Sequence, residues 1–167
     1  MVLVEWQMLM IGFVSSMTKC IMEKLNLESV RFLVQVKALF DYGDALGIAF
    51  QIADDLLDYQ GYASSTGKNV GDDFREGKLT LPVIKAVAQA TKEERQFWAR
   101  VIEKRNQNEG DLEHALELFE KYRTLSATRD EALVWSEKAK ASMAALPEHP
   151  IRDMLTGLAD YVVARLR

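Results

Sequence analysis

Asp54, Asp55 and Asp58 put three carboxylates within one turn of a helix in the run Phe50-Gln51-Ile52-Ala53-Asp54-Asp55-Leu56-Leu57-Asp58, and nothing in that run is basic. Like charges at helical spacing destabilise a helix, and an unpaired charge inside an apolar bundle costs far more than one in water. A bound cation resolves both problems. A ligand set made only of oxygen favours Mg²⁺. Side chains three, four and seven apart share a helical face. Asp44, Gly47, Gln51, Asp54, Asp55 and Asp58 therefore form one polar stripe. Leu46, Ile48, Ala49, Phe50, Ile52, Ala53, Leu56 and Leu57 occupy the other sides, so the helix is expected to be buried around the stripe. Gly47 costs helix stability but leaves room for a close approach. The plainer alternative pairs these acids with Lys or Arg from a neighbouring helix; the apolar flanks weigh against it.

A second set of groups follows in Thr66-Gly67-Lys68-Asn69-Val70-Gly71-Asp72-Asp73-Phe74-Arg75-Glu76-Gly77-Lys78-Leu79-Thr80-Leu81-Pro82. Two Gly-Lys pairs share one loop. Glycine permits close backbone approach to a ligand, and lysine supplies a point charge for phosphate. An acidic platform followed by such a loop suits a metal-bound diphosphate. Taken singly, Lys68 and Lys78 read as solvated loop lysines. A P-loop is excluded: the spacing from Gly61 to Gly67 is one residue too long, and Asn69 stands where a hydroxyl is required.

The elements that must position these groups read as helical. No stretch alternates with period two, so almost no sheet is expected. A long helix is expected from near Glu28 to Asp58, with Gly43 as a point where it can break. A polar loop should run from Tyr59 to Gly77. Thr80 to Ala90 predicts a helix with Pro82 in its first turn. Thr91-Lys92-Glu93-Glu94 is a capping-box pattern opening a helix to about Arg105. A turn over Asn106 to Gly110 follows, and Asp111 can cap a helix to about Tyr122. Thr128-Arg129-Asp130-Glu131 is a second capping-box pattern, for a helix ending before Pro147. Pro150 opens the last helix, to about Leu166.

Composition narrows the class. The 167 residues suit one domain with a real core. A net charge of -4 argues against a nucleic-acid binder. The single cysteine, Cys20, forms no internal disulfide and no zinc cluster, and His114 and His149 are isolated. A reduced, cytoplasmic protein is expected. Val2 to Met17 is apolar, with Glu5 near its start. It is short for a membrane span and lacks the basic start and cleavage site of a signal peptide, so a buried helix is expected there.

The ordered set Gly43, Gly47, Phe50-Gln51, Asp54-Asp55-x-x-Asp58, Gly67-Lys68, Gly71, Asp73, Gly77-Lys78 and Thr80-Leu81-Pro82 resembles the second half of the trans-isoprenyl diphosphate synthases, the polyprenyl synthetase family. The wording from Gly67 to Asp73 looks most like the bacterial long-chain (octaprenyl- and decaprenyl-type) enzymes. The resemblance implies an all-α helical bundle of the isoprenoid synthase type, here its C-terminal half, over residues 36–167. Residues 1–35 read as a helical segment outside the family pattern. The implied reaction is head-to-tail condensation in isoprenoid biosynthesis: an allylic diphosphate ionises, isopentenyl diphosphate attacks, and a proton leaves. The implied cofactor is Mg²⁺ on Asp54 and Asp55, with Asp58 ligating or supporting it. Lys68 would contact the allylic diphosphate. Gln51 would steady the developing cation with its carbonyl dipole. Lys78 and Asp73 would order the loop and the phosphate site.

The family carries two aspartate-rich motifs on facing helices, and this sequence has one. A truncated copy, one piece of a split enzyme and a noncatalytic or regulatory subunit beside a complete synthase all accommodate that; truncation is the simplest. Little or no condensation is expected of the chain alone. Half a bundle exposes an apolar face, and such a face usually finds a partner. A homodimer or larger oligomer is expected; a clean monomer in sedimentation at micromolar concentration would speak against it.

Overall fold

A computed structural model describes residues 27–60 and 70–166. The helix expected over Val2 to Met17, most of the segment 1–35, and Lys68 with the first Gly-Lys pair lie outside the described residues.

Helix α1, Leu27–Gln60, runs 34 residues without a break at Gly43. One face of it is buried: Tyr42, Ala45, Ala49, Ile52, Ala53, Leu56 and Tyr59 recur at helical spacing. That face lies on α6, Thr124–Ser142, in the most extensive helix–helix contact among the described residues, and on α7, Pro150–Ala164. Ala49, Ala53, Ala132 and Ala139 retain no exposed surface. Small residues on both sides let the two backbones approach closely. Tyr42 adds a hydrogen bond of 2.7 Å from its hydroxyl to the Leu155 carbonyl on α7. The expectation of a helix buried around its stripe is corrected here. Phe32, Leu33, Val36, Leu39, Phe40 and Phe50 are exposed, because α6 and α7 form a single layer against one side.

The segment after α1 is not loop throughout. A short helix α2, Asp72–Arg75, sits within it, entered through Gly71 at φ 78°. Helix α3, Leu81–Gln89, has its proline in the first turn, as expected. Helix α4, Lys92–Trp98, opens on a complete capping box: Thr91 and Glu94 satisfy each other's amides. It then widens into a π turn over Ala99–Glu103. Helix α5, Asp111–Lys121, has Gly110 rather than Asp111 at its cap. The Asp111 carboxylate instead accepts two bonds of 2.7 Å from Arg100 and one of 2.7 Å from the Asn108 amide.

Helix α6 starts four residues before the second capping-box pattern. Thr128 is fully buried inside it and caps nothing. Burial overrides the local pattern: Thr128 sits in the core, inside a helix that has already begun at Thr124. Helix α7 begins at Pro150, with the His149 ring accepting the Ile151 amide at 3.2 Å. No strand occurs among the described residues.

Among the described residues the apolar core lies in two places. One, in two adjoining parts, holds α1 to α6 and α7. The other joins α2 to α5 around Phe74, Val83, Trp98, Val101 and Phe119. Tyr59, at the end of α1, enters the second cluster edge-on to Phe119 at 5.0 Å, so α1 belongs to both.

Glu94 ties the start of α4 to the end of α5. It accepts from Lys121 at 2.7 Å, Tyr122 at 2.6 Å and the Thr91 amide at 2.7 Å. Those bonds, Lys121 first, hold its carboxyl down to about 2. A carboxylate held low in the folded state adds stability above its unfolded pKa and loses it as pH falls through the folded one. Thermal melts between the ordinary value of 4.5 and about 2 will therefore show the wild type losing stability faster than Glu94→Gln. Parallel curves would remove Glu94 as a source of acid sensitivity.

Candidate functional site

The acidic stripe divides into two parts. On the open side of α1, Asp54 is exposed and makes no hydrogen bond or ion pair among the described residues. Gln51 is exposed as well and donates its amide to the Asp55 carboxylate at 2.8 Å. The Gln51 nitrogen is thus engaged and its carbonyl oxygen is left over. Asp58, one turn on, is turned toward the returning chain. One of its carboxylate oxygens accepts the Asp72 amide at 3.1 Å, and the other accepts the Asp73 amide at 3.0 Å. Its backbone carbonyl accepts the Gly71 amide at 3.0 Å. Burial pushes the Asp58 carboxyl above the usual carboxylate range; the charges of Asp73 and Asp72 push the same way and the two amides oppose them.

Asp73 is largely shielded, its side chain 19% exposed, and it holds Lys78 at 2.7 Å. Lys78 also reaches Glu76 at 2.8 Å. The bonds to Asp73 and Glu76, in that order, keep its ammonium charged well above the usual lysine range. Lys78 and Asp73 therefore stand together at the end of α2, next to Asp58. Beyond them the Tyr59 hydroxyl meets the Thr80 hydroxyl at 3.2 Å in the interior, joining the end of α1 to the start of α3. Burial drives the Tyr59 phenol far up. Gln107 straps the same region from the other side, donating to the carbonyls of Phe74 at 2.6 Å and Val101 at 3.0 Å. Sequence reading placed Thr80 in a motif but missed its bond to Tyr59, and it missed Gln107. Their partners lie too far along the chain for a local pattern to point to them.

Two residues apart from this cluster complete the open side. Gly43 and Gly47 line an apolar pocket of about 350 Å³ between α1 and α7, with Leu46, Phe50, Leu158 and Tyr161. Arg165 lies over the Phe50 ring, 5.0 Å from its centroid. Among the described residues no three carboxylate, histidine or cysteine side chains stand close enough to hold a metal by themselves.

Residues 18–119 match the family model for polyprenyl synthetase. The chain belongs to the polyprenyl synthetase family. The matched span includes the whole acidic stripe and both Gly-Lys pairs. Octaprenyl diphosphate synthase of Escherichia coli (strain K12) is 44% identical over 131 residues, covering 78% of this chain and 40% of that protein. Among solved structures, a decaprenyl diphosphate synthase from Rhodobacter capsulatus superposes with a TM-score of 0.72 at 61% identity, over 80% of this chain and 40% of that one. A polyprenyl synthase from Caulobacter crescentus CB15, complexed with calcium and isoprenyl diphosphate, gives 0.70 at 47% identity, over 79% and 40%. The chain thus spans about two fifths of the length of these polyprenyl synthetases. The fold is the partial all-α bundle of the isoprenoid synthase type.

Gly71 sets the entry to α2. Its φ of +78° is one that L side chains rarely adopt, and a Cβ there would stand 2.6 Å from a terminal carbon of Leu112. Gly71→Ala is expected to cost about 1–2 kcal/mol in urea unfolding, from the left-handed backbone. A neutral substitution would mean that the α1–α2 connection relaxes freely.

Proposed function

We propose that these residues form one side of the diphosphate site of a head-to-tail prenyltransferase in isoprenoid biosynthesis. The site would join an allylic diphosphate to isopentenyl diphosphate. The observation that carries this reading is the free, exposed Asp54 carboxylate beside Asp55 and Gln51 on one open face of α1. Mg²⁺ is reluctant to lose its waters and usually takes only one or two carboxylates plus substrate phosphates. The donor set on this face fits that demand. Asp54 and Asp55 would hold the ion, with Asp58 on the same stripe ligating or supporting it. When bound, the ion would neutralise charge on a departing diphosphate.

The chain's own groups would do the rest. Gln51 offers its free carbonyl dipole to positive charge developing in the allylic group. Lys78, kept cationic by Asp73, lies toward the phosphate side, and Lys68 would contact the allylic diphosphate. The apolar pocket beside Phe50 would offer an apolar wall on one flank. These 167 residues carry a single aspartate-rich run, so alone they supply one side of a clamp and little turnover. A cytoplasmic setting fits water-soluble diphosphate substrates.

The exposed row of Phe32, Leu33, Val36 and Phe40 on α1 favours a second reading, a noncatalytic or regulatory subunit partnering a complete synthase. A homodimer or other oligomer would cover the same row. Co-purification with a full-length synthase separates these.

The half-site itself is tested by thermal stability with Mg²⁺ and a prenyl diphosphate. At ligand near 100 times Kd, linkage gives about 2.7 kcal/mol, a rise in Tm of roughly 5–10 °C for a chain of this size. The rise should vanish in Asp54→Ala/Asp55→Ala. An unchanged rise in that variant, or none in the wild type, would sink the reading.

A further inference from the structure

Asp54 and Asp58 sit four residues apart on one helix, yet the structure gives them different surroundings. Asp54 faces outward with no partner among the described residues. Asp58 has an amide on each carboxylate oxygen, from Asp72 and from Asp73. A third bond, from the Gly71 amide to the Asp58 carbonyl, closes the same junction. The three amides belong to consecutive residues, so Asp58 grips the chain where it turns into α2. Asp73 then passes the constraint on: its amide is held by Asp58 and its carboxylate holds Lys78 at 2.7 Å. The Asp73 carbonyl also accepts the Lys78 amide at 2.9 Å, so Lys78 is fixed at backbone and side chain by one residue.

We infer that Asp58 is a positioning residue, which sets Lys78 beside the acidic face through Asp73, and is not itself a ligand of the ion. This rests on the half-site reading above and deepens it, by dividing the stripe into ion-holding Asp54 and Asp55 and a chain-gripping Asp58. The physical reason is orientation. With one amide of the returning chain on each oxygen, the Asp58 carboxylate is held toward α2, whereas Asp54, which has no partner among the described residues, is left to face an ion. Hydrogen bonds to a charged acceptor are the stronger kind, and the pair is anchored by backbone on both sides.

The experiment has three readouts on the full chain. Amide hydrogen exchange follows Asp72 and Asp73. Electron paramagnetic resonance follows Mn²⁺ binding without phosphate. Calorimetry follows inorganic pyrophosphate at fixed Mn²⁺. Asp58→Ala should speed exchange of both amides by about tenfold or more, the scale of a lost bond to a charged group. It should leave Mn²⁺ affinity within about twofold, since no ion-bound group is removed. Pyrophosphate should weaken, and Lys78→Ala should add nothing to the loss in the double variant, because the two residues act through one path. Asp58→Asn keeps the shape and one acceptor oxygen, so one of the two amides should stay protected; this variant also covers the case in which Asp58→Ala does not fold. Asp54→Ala should do the reverse: weak Mn²⁺ binding with both amides unchanged.

The inference is overturned if Asp58→Ala or Asp58→Asn loses Mn²⁺ as Asp54→Ala does while both amides keep their protection. Additive pyrophosphate losses from Asp58 and Lys78 would overturn it too. A wild type that binds no Mn²⁺ instead overturns the half-site reading, and the amide exchange then decides the grip of Asp58 alone.

Discussion

The close contact between α1 and α6 is the constraint on which the rest depends. Ala49 and Ala53 meet a facing alanine, Ala132, with no exposed surface left on any of them. Bulk on either side would push the helices apart; alanine on both fixes their separation and, with it, the rotation of α1 about its axis. That rotation decides which residues look outward. Once Ala49, Ile52, Ala53 and Leu56 are turned to the core, Gly47, Gln51 and Asp54 are left on the far side. The acidic face is therefore oriented by apolar packing rather than by its own charges. Leu56, with no exposed surface, lies one helical turn from both Ile52 and the Tyr59 that enters the second core.

The end of α1 then does two jobs at once. Its last turn carries Asp58, which grips the chain entering α2, and Tyr59, which bonds to Thr80 at the entry of α3. Gly71 meets the last turn of α1 through its amide on the Asp58 carbonyl. Gln107 braces the returning chain from the π turn side. The wide turn at Ala99–Glu103 matters in this respect: it lets the chain after α4 bend back so that Arg100 reaches Asp111 and Gln107 reaches Phe74. Charge and packing are joined here rather than separate, since Tyr59, and the Phe74 whose carbonyl Gln107 holds, are both set in the second cluster.

Much of this was legible in the sequence, where local chemistry decides. Pro82 and Pro150 mark helix starts because a first-turn proline loses no bond, and the Thr91 box formed because both of its partners are three residues apart. The long helix was legible from its periodicity. Three features were not. The Thr128 pattern has the same first and fourth residues as the Thr91 one, but its position in the core overrides it. Helix α2 is four residues long and depends on Asp58, fourteen residues upstream of Asp72, so no window around it carries the signal. The exposure of Phe40 and Phe50 was hidden because periodicity tells which faces are apolar, not how many layers cover them. In the site, the acids stood out by their spacing, and the family resemblance implied a chemistry for them. That Asp58 is bound to the returning chain while Asp54 has no partner among the described residues was not readable, because it is set by residues distant in sequence.

Gly43 and Gly47 carry one more consequence. A Cβ at either would meet nothing within 4 Å, so the packing of this chain gives no reason for glycine at those positions. Each glycine in a helix interior gives away about 0.5–1 kcal/mol relative to alanine. Replacing both would make α1 a sturdier rod and narrow the channel along its open flank by two methyl groups. The helix is thus built less stable than its sequence allows, and what it keeps in exchange is clearance.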